Sequence, residues 1–190
     1  LSNLGMHHIA EAELDLFDPV FNGVAEVAPW RAKLAAEKGD WKLAASELKI
    51  GEDAFGVYSQ DQVNGFNLLR AEAALEDYDI EAANQALEEI RTAVGGYIDP
   101  ETAALREYLE GVSALRSGDV GRAIAKFEQT IALDHRPTTA KAKFAKTNAM
   151  LAQNEITTEE AIEEFKAMSF AWRGDDLELS ILKRIGDLQI

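Results

Sequence analysis

The residues of this chain that could perform chemistry are histidines and clustered carboxylates. His7 and His8 are adjacent, and in a helix His7 and Glu11 would share one face, four residues apart. Such a pair could begin a metal site, but a zinc site takes three or four ligands. We therefore interpret this segment as an exposed polar start and predict no metal site there.

A run of carboxylates lies further along, at Glu159, Glu160, Glu163 and Glu164. Acidic residues at helical spacing are typical of a solvent-exposed helix face. A catalytic role would require a cleft that shifts their pKa values. The sequence has no phosphate-binding glycine loop, no zinc-protease motif, no serine-hydrolase motif and no cysteine. We therefore predict no catalytic residue and no cofactor, and we expect that the chain is not an enzyme.

The composition narrows the classes of partner. The 190 residues contain 19 basic and 34 acidic side chains, for a net charge of −15, and 47% are apolar. The apolar fraction supports a folded core and excludes a disordered chain. The acidic excess argues against nucleic acid, and no apolar run approaches the roughly 18 residues of a membrane helix. We expect a protein partner and no membrane insertion, with self-association left open.

The elements that must position any site repeat along the chain. Alanine precedes a large apolar residue by four positions, at intervals of 39, 40 and 38 residues, in Ala44/Leu48, Ala83/Leu87, Ala123/Phe127 and Ala161/Phe165. A second column of small residues keeps the same intervals, in Ala32/Ala35, Ala71/Ala74, Gly111/Ala114 and Ala149/Ala152. Each period therefore predicts two helices, the first with small residues that allow close packing.

Turn and cap residues mark the ends of these helices. An Asp that can cap the second helix closes the turn in Gly39-Asp40, Tyr78-Asp79 and Gly118-Asp119. A longer turn covers 154–158. Further helix starts are indicated by Asp99-Pro100, Pro137, Thr157 with Glu160, and Asp175 with Glu178.

The third period carries the clearest motif. Gly111 is followed by Ala114, the Gly118-Asp119 turn, Ala123 and Phe127. This order resembles the tetratricopeptide repeat (TPR). The resemblance implies an all-α fold, a right-handed superhelical solenoid of antiparallel helix pairs with about nine helices. HEAT-type repeats of ~40–47 residues are the structural alternative.

The resemblance divides the chain into a lead-in and repeats. Residues 1–24 would form an irregular or short-helix lead-in, and 25–190 would hold the repeats. The expected units lie near 25–59, 60–98, 99–136 and 137–174, with a half unit at 175–190.

Both ends predict a piece of a longer array. The chain begins at Leu1, not Met, and stops within a predicted helix that would expose Ile181, Leu182, Ile185 and Leu188. The run 170–179 also resembles a segment of long TPR-array proteins of alphaproteobacteria. That resemblance implies a bacterial protein and favours the cell envelope or periplasm over the cytoplasm.

In TPR folds the first helix of each pair lines a concave groove that binds a peptide or helix of a partner protein. By register, the resemblance implies partner-binding residues at Trp30, Lys33, Tyr108, Arg116, Lys143, Lys146 and Met150. Leu68 and Leu75 would occupy further groove positions. The expected function is an interaction scaffold, and the alternatives are a self-assembling structural module or the non-catalytic arm of a longer enzyme.

Basic residues cluster at 135–154, which holds Arg136, Lys141, Lys143 and Lys146 and no acid. Two interpretations stay open: the segment binds an acidic partner, or it pairs with the acidic segment 155–164 of the same chain. His135 is predicted at a helix C-terminus, where a cation is favourable. Trp172 is a candidate aromatic anchor. Gly174 and Asp175, in the tripeptide 173–175, predict a helix break and a cap.

Overall fold

The fold comes from a computed structural model, which describes residues 24–92, 98–172 and 176–190. Within these ranges all regular structure is helical. The described residues form nine α-helices: α1 Ala28–Glu37, α2 Trp41–Gly51, α3 Gln60–Glu76, α4 Ile80–Arg91, α5 Pro100–Arg116, α6 Val120–Ala132, α7 Arg136–Ala152, α8 Thr158–Ala171 and α9 Asp176–Leu188. A short 3-10 helix, Glu52–Val57, follows α2. The predicted all-α fold is confirmed for the described residues.

The chain forms two compact units, Leu1–Tyr97 and Ile98–Ile190. In the first, α1 packs against α2, α2 against α3, and α3 against α4. In the second, each helix from α5 to α9 packs against the next, and α5 also contacts α7. We refer to α1/α2, α3/α4, α5/α6 and α7/α8 as the first to fourth helix pairs. The solenoid arrangement and its TPR character stay predictions.

Three predictions lie outside the described ranges. They are the pairing of His7 and Glu11, the lead-in at 1–24, of which the structure describes only Val24, and the helix break and cap at Gly174 and Asp175.

The turns inside the first three pairs are built as predicted. The second residue after the helix end has a positive φ, at Gly39 (75°), Tyr78 (61°) and Gly118 (85°). The next residue, Asp40, Asp79 or Asp119, caps the second helix by accepting from the backbone N–H three positions on. The same Asp donates its own N–H back to the first helix, at 2.9 Å in each turn. The Asp therefore performs two tasks: its N–H bonds a carbonyl at the end of the first helix, and its side chain caps the start of the second.

The fourth turn divides these two tasks between two residues. Asn154 takes the positive φ of 57°. The Glu155 N–H donates to the Met150 carbonyl at 2.9 Å, as the turn aspartates do. The cap, however, is Thr157, which forms the predicted capping box with Glu160. The fourth turn is therefore the same turn lengthened by two residues.

This longer turn corrects the predicted register of α7. Counted from the turn, the equivalents of Gly111 and Ala114 are Thr147 and Met150, not Ala149 and Ala152. Ring contacts support this register. Tyr108 lies 5.9 Å from Phe127 between ring centroids in the third pair, and Phe144 lies 5.4 Å from Phe165 in the fourth.

His135 lies three residues after the end of α6 and is the N-cap residue of α7, with its Nδ1 atom 3.0 Å from the Thr138 hydroxyl. Its predicted interaction with a helix C-terminus stays a prediction. The predicted exposure of Ile181 is wrong. Ile181 is fully buried against Phe165 and Met168. Leu182 is exposed as predicted. The last helix therefore completes a core, because one of its faces packs on α8.

Candidate functional site

A cavity of about 570 Å³ lies between α7 and α8 in the second compact unit. Its apolar lining consists of Ile131, Ala140, Met150, Ile156, Ala167, Met168, Ala171 and Trp172. Its charged lining consists of Asp134, Arg136, Lys143, Lys146 and Glu164. Thr139 and Thr147 are the remaining lining residues in the part of the chain that the structure describes. The cavity thus combines these apolar side chains, which we call its apolar floor, with ionic groups of both signs.

Side-chain size explains why this pair is open. In the third pair, a Cβ atom on Gly111 would lie 2.6 Å from the Phe127 ring, so the two helices touch only because this residue is glycine. In the fourth pair the equivalent residues are Thr147 and Phe165. A branched side chain therefore stands where the third pair has none. Consistent with this, α7 and α8 are in less extensive contact than α5 and α6 are.

In the third pair an ion cluster lies at the positions that correspond by register to the charged residues of the cavity. The Lys126 Nζ atom of α6 lies 2.7 Å from a Glu107 oxygen and 2.6 Å from a Glu110 oxygen, both on α5. Arg106 donates to Glu107 at 2.6 Å. All four side chains are largely buried. Charged groups of both helices therefore close this pair.

The cluster shifts the ionisation of its members. Burial by itself would raise the pKa of Glu107, but hydrogen bonds from Lys126 and Arg106 outweigh it and hold that pKa below the usual 4.5. Burial would likewise lower the pKa of Lys126, but its bonds to the two glutamates raise it above 10.5. Both shifts favour the charged forms, so the cluster stabilises the folded state at pH values between the pKa of Glu107 and the pKa of Lys126.

We expect Glu107→Gln to lower the free energy of unfolding at neutral pH by about 1–3 kcal/mol, because it removes a buried charged partner. The contribution of Glu107 is present above pH 4.5 and is lost as the pH falls through its lowered pKa. The variant should therefore lose less stability on acidification than the parent. Urea unfolding followed by circular dichroism over an acid pH series measures this. Parallel pH profiles would contradict the prediction.

The fourth pair carries the same three positions with reversed charge. Glu107 and Glu110 correspond to Lys143 and Lys146 of α7, and Lys126 corresponds to Glu164 of α8. Here no such cluster is closed. Lys146 instead pairs with Glu128 of the preceding α6, at 2.7 Å. Among the described residues neither Lys143 nor Glu164 forms an ion pair.

One further polar group at the cavity lacks a partner. Thr139 is 9% exposed and lines the cavity, and its hydroxyl oxygen has no hydrogen-bond partner. A buried hydroxyl without a partner carries a desolvation penalty. A ligand able to hydrogen-bond this group would relieve that penalty.

Three of the predicted partner-binding residues meet at this cavity. Lys143, Lys146 and Met150 all line it, and the aromatic candidate Trp172 joins them. The second interpretation of the basic segment, pairing with 155–164, finds no support among the described contacts, because Lys146 pairs with α6. Arg136 also lines the cavity, whereas Lys141 does not.

The other predicted residues lie elsewhere. Tyr108 is half-buried and packs on Phe127, and Arg116 occupies the last turn of α5. In the first compact unit Trp30 packs edge-on against Phe66, at 5.5 Å between centroids, and Lys33 is half-buried in α1. The predicted groove positions Leu68 and Leu75 are both buried in the core, so they cannot contact a partner.

Sequence reasoning missed the part of the cavity that α8 supplies, namely Glu164, Ala167, Met168 and Ala171. The sequence does contain a signal for it, because the charges at three equivalent positions are reversed between the third and fourth pairs. It becomes visible only with the correct register, which depends on the two additional residues in the fourth turn.

Two other kinds of site are absent from the described ranges. No group of three or more potential metal ligands occurs there. No helix within the same ranges has the length and hydrophobicity that a membrane span requires. Comparisons with protein-family models, with curated proteins and with solved structures find no match to this chain.

Proposed function

We propose that this chain is a protein-interaction module that binds a segment of a partner protein in the cavity between α7 and α8. The observation that carries the proposal is the cavity between these two helices. It is lined by apolar side chains and by charged groups whose equivalents in the second and third pairs form ion pairs between the two helices. Its volume of about 570 Å³ suits one or two large side chains.

The lining favours a peptide segment as the occupant. Met150 and Met168 have flexible side chains that adapt to varied apolar shapes, and Trp172 adds aromatic contact area. Charged groups at the same cavity can orient a polar backbone or side chain beside the apolar anchor. The broader proposal, a concave solenoid face that binds the partner, rests on the TPR resemblance.

The alternative, a self-assembling module, is favoured by a different surface. Leu179 and Leu182 of α9 are 67% and 51% exposed. Exposed leucines on a terminal helix could pack against another copy of the chain. A mass that rises with concentration in analytical ultracentrifugation would favour this alternative.

Peptides can be selected from a random phage-displayed library for binding to the whole chain. We expect the binding of these peptides to require the cavity. Ala167→Trp would fill the cavity from an exposed position of α8 and should weaken such peptides more than about tenfold, as loss of a binding hot spot does. Synthetic versions of the selected peptides, titrated by isothermal calorimetry, provide the affinities.

Ala125→Trp is the matched control, because Ala125 is exposed on α6 and does not line the cavity. Selected peptides should bind this variant as they bind the parent. If every selected peptide binds the two variants equally, or if none can be selected, the cavity is not a peptide site and the proposal fails.

A further inference from the structure

We propose that the cavity recognises an acidic side chain of the partner segment, and that Glu164 is an internal carboxylate that opposes this binding. This inference rests on the proposed function and specifies the chemistry of its partner. The partner segment would place an Asp or Glu beside a large apolar residue, with the acid at Lys143 and the apolar group on the floor.

The first support is the comparison of helix pairs. In the second pair Arg70 of α3 reaches across to Glu89 of α4 at 2.8 Å. The equivalent Glu110 in the third pair reaches across to Lys126. In the fourth pair the equivalent Lys146 turns away to Glu128. The cross-pair ionic contact is thus made in two pairs and left unmade in the pair with the cavity.

The second support is the charge around the unmade contact. Among the described residues, the cavity lining carries three bases, Arg136, Lys143 and Lys146, and two acids, Asp134 and Glu164. Glu128 already pairs with Lys146, whereas Arg136 and Lys143 have no ionic partner among the described residues. A carboxylate entering between α7 and α8 would therefore meet two available cations. The Thr139 hydroxyl is a further available group for it.

Glu164 acts against an incoming acid in two ways. Its charge repels another carboxylate at short range. It also occupies the position from which Lys126 binds two acids in the third pair, so it can compete for Lys143. Removing its charge should therefore strengthen binding of acidic segments, an effect opposite in sign to that of removing Lys143.

The test uses the selected peptides as synthetic probes, acetylated and amidated so that side chains supply the only carboxylates. Lys143→Gln should weaken binding about fivefold, and Glu164→Gln should strengthen it by a similar factor. Lys141→Gln and Glu159→Gln are the matched controls, since they change the same charges on α7 and α8 at exposed positions outside the cavity. Both controls should change affinity by less than about twofold.

A probe with its acids replaced by Asn or Gln should bind weakly and respond to neither cavity variant. The inference is overturned if peptides that Ala167→Trp displaces contain no acid, or if Lys143→Gln behaves as Lys141→Gln does. In that outcome the proposed function stands and only the acid specificity fails. If Ala167→Trp displaces nothing, the proposed function has failed instead.

Discussion

Phe127→Ala is expected to lower the free energy of unfolding of the second compact unit by about 3–5 kcal/mol, the range found for large cavities in a core. Phe127 is 0% exposed and lies in a cluster with Ala114, Ala123 and Ala142. The surrounding side chains are mostly alanines on regular helices, so they can relax little into the space that the ring leaves. Urea unfolding followed by circular dichroism measures the change.

Phe170→Ala is the control for this prediction. Phe170 belongs to the same compact unit and is 78% exposed, so its loss should change the free energy of unfolding by less than about 0.5 kcal/mol. If both alanine variants lowered the stability equally, Phe127 would not hold the third pair together.

Gly111→Ala is expected to lower the free energy of unfolding by about 1–3 kcal/mol, although alanine favours helices more than glycine does. The added Cβ would lie 2.6 Å from the Phe127 ring, which is buried and cannot swing away. The first two pairs place alanine, Ala32 and Ala71, at this register with leucine at the partner position. We therefore expect Phe127→Leu to restore part of the stability in the double variant.

Gly121→Ala separates crowding from helix propensity. Gly121 lies in α6, and a Cβ atom there would meet nothing within 4 Å. This variant should be as stable as the parent or more stable by up to ~1 kcal/mol. Thermal unfolding of the parent and these three variants side by side gives the comparison. A double variant less stable than Gly111→Ala alone would contradict the proposed steric conflict.

The local features of the fold could be predicted from the sequence because they depend on a few neighbouring residues. Asp40, Asp79 and Asp119 cap helices through bonds that span three positions. Each follows a residue that ends the preceding helix with a positive φ. Such patterns are visible in one period of the chain and recur in the next.

The cavity could not be predicted in the same way because it depends on how two helices face each other. The prediction that Ala149 and Ala152 are the small packing residues of α7 assumed that the fourth turn is as long as the first three. Counted from the turn, Thr147 instead takes the place of Gly111, and we infer that this larger residue widens the pair. The burial of Ile181 was missed for a similar reason, since only the packing on α8 determines which side of α9 is covered.

The lengthened turn between α7 and α8 also has an evolutionary consequence. The two additional residues are accommodated within the turn, because Phe144 still meets Phe165 as Tyr108 meets Phe127, and both helix ends keep their capping chemistry. A helical hairpin can thus gain chain length at its turn without changing which positions of its two helices meet. In related hairpins, equivalent residues must therefore be found by counting outward from each side of the turn, and substitutions at those positions determine whether a pair is sealed or open.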